Sequence, residues 1–141
     1  MLTKPKSRIL IVDDHAVLRA GLRAIIETTE DLTVCGEAEN GEQALSSVST
    51  LKPNLAIVDI SLKNSIEGIE LTKRLVKKFS GLPVLILSMH EEQSQVTNAL
   101  AAGARGYVVK TEDTSNFLTA IRCVLQGDTY LSESVRPAQK D

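Results

Sequence analysis

Leu55-Ala56-Ile57-Val58-Asp59-Ile60-Ser61-Leu62 decides the fold. Its leading apolar run is too short for a helix of its own and shows no polar alternation. It reads as a strand buried on both faces, the kind found in parallel sheets covered by helices. Asp59 falls where that strand ends and its loop begins. In open parallel sheets, ligands bind outside the carboxyl ends of the strands. A lone aspartate there is ordinarily a turn residue, so its meaning depends on what the other strand ends carry.

Similar runs lie on either side. Arg8 to Val12 is a second buried strand and stops at Asp13-Asp14. Leu32 to Glu37 is a weaker candidate with Val34 and Cys35 at its middle, Val84 to Leu87 delivers Ser88, and Gly106 to Val109 ends at Lys110. Between them stand helical patterns. His15 opens the first, with Leu18, Leu22, Ile25 and Ile26 on one stripe. Asn40 caps the second, with Gln43 in the capping-box position. Ile69, Thr72, Leu75, Val76 and Phe79 mark the third, closed by Ser80-Gly81-Leu82-Pro83. The fourth runs from about Glu91 to Ala102, and the fifth holds Phe117, Leu118, Ile121, Val124 and Leu125 before Gly127. Five strands alternating with five helices predict right-handed crossovers and a doubly wound α/β domain. Asp128 to Asp141 is polar, carries Pro137, and reads as a tail or linker.

Composition sets outer bounds. The chain has 141 residues, 43% hydrophobic and 24% charged, with a formal net charge of −2. That is one domain's length, and nothing in the charge suggests that this chain contacts nucleic acid directly. No apolar stretch approaches a membrane span, and Met1 to Lys6 lacks the apolar centre of a signal peptide. Cys35 and Cys123 lack ligand-like spacing and are expected to be reduced, buried small hydrophobes in a cytoplasmic protein.

In a parallel sheet all these strand ends share one edge, so Asp13, Asp14, Asp59, Ser88 and Lys110 converge. Carboxylates about 4 Å apart repel by on the order of 4 kcal/mol per pair at an effective dielectric near 20. Lys110 offsets part of this and a divalent cation more. Oxygen donors select Mg²⁺, Mn²⁺ or Ca²⁺, and Mg²⁺ suits a site with few carboxylates and room for phosphate oxygens. Metal, lysine and hydroxyl around one carboxylate are what phosphoryl transfer requires. Asp59 is then the nucleophile, Asp13 and Asp14 hold the metal, and Lys110 and Ser88 contact phosphoryl oxygens.

Ile11-Val12-Asp13-Asp14, Asp59, Leu87-Ser88 and Tyr107-Val108-Val109-Lys110 resemble the signature set of bacterial response-regulator receiver domains. Asp13-Asp14-His15 followed by Leu18-Arg19-Ala20-Gly21-Leu22, then Leu87-Ser88-Met89-His90 and Ala101-Ala102-Gly103-Ala104-Arg105-Gly106-Tyr107, resemble its NarL/FixJ (LuxR-type) branch. The resemblance spans about residues 8 to 127 and implies a flavodoxin-like fold with strand order 2-1-3-4-5. It implies a sensor histidine kinase as phosphoryl donor in a two-component system, and metal ligation by Asp13, Asp14, Asp59 and the main-chain carbonyl of Ser61. It implies a switch in which Ser88 is drawn inward and Tyr107 turns to fill the vacated space, with Ser61 and His90 modulating dephosphorylation. On this reading the chain is a self-phosphorylating phosphoacceptor with autodephosphorylation rather than a conventional enzyme.

The same resemblance places a receiver at 1–127 and a linker at 128–141, beginning with Asp128-Thr129-Tyr130-Leu131-Ser132. The branch usually continues into a DNA-binding helix-turn-helix domain. With no such segment here, the chain is expected to be a receiver piece or a single-domain regulator. The resemblance implies kinase docking through the first helix, and homodimerisation through the first and fifth or the fourth and fifth helices; Arg19, Arg23, Arg105 and Arg122 could serve. Three departures stand out: Lys63 where a proline often stands, a loop to Gly68 one residue longer than usual, and Thr111 where a cis proline often follows the lysine. A haloacid-dehalogenase-like phosphatase is the rival enzyme reading, although Ser61 stands where that family needs a second aspartate. A degenerate receiver acting only as an interaction module is the other alternative.

Overall fold

In the computed structural model, residues 5–62 and 66–136 are described. The elements follow in order as β1 (Ser7–Val12), α1 (Ala16–Glu27), β2 (Leu32–Ala38), α2 (Gly41–Leu51), β3 (Leu55–Asp59) and α3 (Gly68–Lys78). Then come β4 (Val84–Ser88), α4 (Gln93–Ala101), β5 (Gly106–Val109), α5 (Thr114–Leu125) and β6 (Tyr130–Leu131), closed by a 3₁₀ turn at Glu133–Val135. All strand pairs are parallel, in the order β2-β1-β3-β4-β5-β6.

The apolar runs are buried on both faces, as strands of a covered parallel sheet must be. Along β1, Ile9 and Ile11 face one core, with Leu22 and Ile26 of α1 and Phe117, Ile121 and Val124 of α5. Leu10 and Val12 face the other, with Ala44 and Val48 of α2, Leu71 and Leu75 of α3, and Val96 and Ala99 of α4. Each such Leu or Ile contributes roughly 1.5–3 kcal/mol on leaving water. The two cores clamp the sheet, so the loops at its carboxyl edge are held on a rigid base.

Five strands are expected from the sequence, and the structure has six. The sixth comes from the segment read as a polar tail. Tyr130 and Leu131 are too few to register as a strand pattern, yet Tyr130 N donates to Arg105 O and Ser132 N to Tyr107 O, each at 3.0 Å. Val135 is fully buried in the same core as Tyr107 and Val109, and Ser132 Oγ accepts from Val109 N at 3.0 Å. Gln93 of α4 reaches across to Val135 O at 2.9 Å.

Smaller differences have local causes. Leu71, absent from the expected stripe of α3, is its fully buried centre, with Thr72 and Leu75, while Ile69, Val76 and Phe79 flank it half-buried. Asn40 caps α2 by accepting from Gln43 N at 2.9 Å, but the Gln43 side chain returns to Glu39 N rather than to Asn40. Cys35 and Cys123 are free and half-buried rather than buried. Cys35 sits where the β1–β2 register slips by one residue and has no partner across the pair. Gly81, Gly103 and Gly127 take φ of 87°, 107° and 94° just past α3, α4 and α5, the left-handed stop that the sequence pattern announces.

Candidate functional site

The carboxyl ends of β1, β3, β4 and β5 lie side by side, and each delivers a polar residue. Asp13 continues the β1 ladder, its N–H donating to Ala38 O at 3.0 Å. Lys110 continues β5, its N–H donating to Ser88 O at 2.7 Å. Asp13 and Asp59 are each 1% exposed, a burial that carboxylates sustain only when paired or ligated. Lys110 Nζ lies 3.2 Å from Asp59 Oδ1 and 3.7 Å from Asp13 Oδ2. The backbone N–H of Ser61 also donates to Asp59 Oδ1, at 3.1 Å.

One oxygen of Asp59 is therefore fixed from two sides. The other, Oδ2, is buried with no hydrogen-bond partner among the described residues, as is Asp13 Oδ2. Burial pushes the Asp13 carboxyl above its ordinary value; the His15 N–H and Lys110 oppose the shift, and the Asp59 charge adds to it. Donor atoms of Asp13, Asp14, His15 and Asp59 all lie within 4.8 Å of one another. Two orphaned buried carboxylate oxygens aimed into one such cluster fit a divalent cation.

Ser88 is fully buried, and its Oγ accepts from His90 N at 2.9 Å. Tyr107 is fully buried as well, with its hydroxyl donating to His90 O at 2.8 Å. Tyr107 thus already lies inside, not turned to the surface. Burial raises its phenol above the ordinary value, with the nearby Ser88 hydroxyl opposing. Ser61 and His90 line an open groove beside the site, together with Leu62, Glu67 and Gln95.

The structure brings Asp13, Asp14, Asp59, Ser61, Ser88, His90 and Lys110 to this edge, with Tyr107 within β5 behind it, and three residues not expected in the site adjoin them. His15 was read only as a helix start, yet its Nδ1 lies 3.1 Å from Asp13 Oδ1 and 3.0 Å from Asp14 Oδ1. Arg19, expected from the sequence to serve a partner surface, is buried; it donates to Asp13 O at 2.6 Å and to Glu37 Oε1 at 3.0 Å. Burial alone would raise the Glu37 carboxyl, but hydrogen bonds from Arg23 and Arg19 outweigh it and hold the group below its usual range. Arg122 is likewise engaged, its Nε and one Nη donating to the two carboxylate oxygens of Asp31. The third is Gly68. A Cβ there would meet the Asp59 carbonyl oxygen and lie 2.6 Å from Ile60 Cα, so only glycine lets α3 close against the end of β3.

Of the three departures, Lys63 and the loop around it lie outside the described residues. The Lys110–Thr111 peptide is trans, since no peptide among the described residues is cis. With threonine the trans form costs nothing, whereas a non-proline cis bond costs about 2.5–4 kcal/mol.

Residues 9–122 match the response regulator receiver domain family. The transcriptional regulatory protein DegU of Brevibacillus brevis is 33% identical over 92% of this chain and 55% of its own length. The nitrate/nitrite response regulator NarL of Escherichia coli is 32% identical over 97% of this chain and 63% of its own length. The chain therefore spans a little over half the length of these curated relatives. A LuxR-family two-component response regulator from Aurantimonas superposes with a TM-score of 0.88 at 31% identity, covering 92% of each chain. The isolated receiver domain of RcsB from Salmonella enterica, solved with a phosphomimetic, gives a TM-score of 0.84 at 25% identity over 92% of this chain and 96% of its own. The haloacid-dehalogenase reading is not favoured by these matches. No helix among the described residues is long and apolar enough to cross a membrane.

Proposed function

The chain belongs to the response regulator receiver family, on its NarL/FixJ (LuxR-type) branch, and we propose that Asp59 accepts the phosphoryl group that throws its signalling switch. The observation that carries this is the asymmetry of the Asp59 carboxylate. Oδ1 is pinned by Lys110 and the Ser61 N–H at 3.2 and 3.1 Å, while Oδ2 is buried with no hydrogen-bond partner among the described residues. One oxygen orients the group and the other is left to attack.

The donor is a phosphohistidine of a sensor histidine kinase. Asp59 Oδ2 forms the new O–P bond as the P–N bond breaks, and the electron pair returns to the donor's imidazole nitrogen. The transition state spreads charge over three equatorial oxygens, so positioning and cationic contacts supply most of the catalysis. Lys110 takes one of those oxygens and the Ser88 hydroxyl donates to another. Asp13, Asp14, Asp59 and the main-chain carbonyl of Ser61 would hold Mg²⁺, with Mn²⁺ or Ca²⁺ as substitutes, and the ion would supply positive charge against the charge that develops on the phosphoryl oxygens. Ser61 and His90, at the mouth, set how fast water removes the phosphoryl group.

The switch follows from what Ser88 now holds. Its Oγ accepts from His90 N, and Tyr107 donates to His90 O. Drawing Ser88 toward a phosphoryl oxygen releases the His90 N–H and shifts the α4 end of β4 together with Tyr107, a two-state element biased by a local charge. The receiver takes in the packed segment 130–135 as well as the residues up to 127, and its output is an effector domain that binds DNA outside this chain. The protein acts in the cytoplasm and pairs with a second copy when phosphorylated. The apolar groove between α1 and α5, lined by Leu18, Leu22, Ile25 and Phe117, with Val17 87% exposed at its rim, is where the kinase docks.

Incubation with acetyl phosphate and Mg²⁺ followed by intact-mass measurement tests the reading. Wild type should gain one phosphate and Asp59→Asn none. An equal gain on both, or none on wild type, refutes it.

A further inference from the structure

His15 occupies the N-cap of α1, the position where a short polar side chain usually bonds the first free N–H groups. Its side chain makes no capping bond. The imidazole is instead turned back on the acidic cluster, with Nδ1 at 3.0 Å from Asp14 Oδ1 and 3.1 Å from Asp13 Oδ1. Those separations equal the cis edges of an octahedron around an ion with bonds of about 2.1 Å, where neighbouring donors stand about 3.0 Å apart. Nδ1 is also one of the four donors within 4.8 Å of one another, and two buried carboxylate oxygens in the cluster, on Asp13 and Asp59, have no hydrogen bond.

We propose that His15 Nδ1 is a nitrogen ligand of this cluster, and that it makes the site prefer divalent transition-metal ions over Mg²⁺. Carboxylates and carbonyls alone suit Mg²⁺ and Mn²⁺, while an imidazole favours the later ions Co²⁺, Ni²⁺ and Zn²⁺ and adds little for the harder ones. Nδ1 is within hydrogen-bond distance of Asp13 Oδ1 and close to Asp14 Oδ1. To ligate an ion through Nδ1 the ring would carry its proton on Nε2, which leaves the Nδ1 lone pair free. The inference rests on the acidic cluster being the metal site of the proposed switch. It makes the ratio of free transition ions to Mg²⁺ decide which metal the site carries.

The side chain of His15 is 56% exposed, so His15→Gln should fold. The test is calorimetric titration of wild type and H15Q with MgCl₂ and with CoCl₂, together with pulsed electron paramagnetic resonance of the Mn²⁺-loaded proteins. H15Q should weaken Co²⁺ binding by about tenfold or more while changing Mg²⁺ binding by less than about threefold. Wild type should show ¹⁴N modulation on Mn²⁺ that H15Q lacks. The chain has only two histidines, so modulation that survives in H15Q assigns the nitrogen to a group other than His15 and overturns the proposal. Equal Co²⁺ affinities, or wild-type Mn²⁺ with no nitrogen coupling, overturn it while leaving the metal site standing. Wild type that binds none of these ions sinks both this inference and the metal part of the proposed function.

Discussion

In an Asp13→Asn variant the amide oxygen keeps the hydrogen bond that Asp13 Oδ1 accepts from His15 N at 2.8 Å, while the charge disappears. Lys110 lies 3.7 Å from Asp13 Oδ2, an attraction of about 4.5 kcal/mol at an effective dielectric near 20. Against it stand Asp14 and Asp59, with donor atoms within 4.8 Å, each repelling by about 3.5 kcal/mol or more on the same scale. Desolvation of a carboxylate that is 1% exposed adds to the cost of the charge. The balance favours the amide, and after relaxation the metal-free variant should be more stable than wild type by about 1–3 kcal/mol. In urea at pH 7 with a chelator, that raises the midpoint by on the order of 1 M. Mg²⁺ at ten times its dissociation constant should stabilise wild type by about 1.4 kcal/mol and the variant hardly at all. The pH dependence has a sign as well. Because burial raises the folded-state value for Asp13, the folded protein holds more protons than the unfolded chain between the ordinary and the raised value. Wild-type stability therefore falls as pH climbs through that window, and the variant loses this slope. A lower midpoint for the variant without metal, or an undiminished Mg²⁺ response, would refute the reasoning.

Gly68→Ala should cost about 1–3 kcal/mol, since its Cβ runs into the Asp59–Ile60 backbone; an unchanged melting temperature would contradict the close approach. Tyr107→Phe removes the bond to His90 O and should cost about 0.5–1.5 kcal/mol by denaturant titration, with phosphate uptake by intact mass retained. Loss of uptake would place Tyr107 in the chemistry itself. Arg122→Ala breaks the half-exposed pair with Asp31 and should change stability by less than about 1 kcal/mol. A larger loss in urea would show that the pair anchors α5 to the β2 side of the sheet.

Most of the fold was readable because apolar runs such as Ile9 to Val12 and Val84 to Leu87 have no reading but strands covered on both faces. The convergence of Asp13, Asp14, Asp59, Ser88 and Lys110 follows from that topology alone, without any knowledge of side-chain geometry. Periodicity failed where a residue breaks its own class. Arg19 occupies the buried stripe of α1 with Leu22 and Ile26, and a charge at a stripe position was the signal that could have found it. His15 was hidden because a helix start explains it sufficiently, and only coordinates show which way the ring turns. β6 escaped because two residues make no pattern; what holds them is pairing with β5, more than twenty residues back in the chain.

The packing of residues 130–135 bears on where this domain can be cut. A chain shortened to end at Gly127 loses the Ser132 hydroxyl from Val109 N, the Val135 plug from the core, and the strand that covers β5. The exposed rim would then offer unpaired N–H and C=O groups to any passing molecule. Such a truncation should be less soluble and prone to clumping, even though every catalytic side chain is still present.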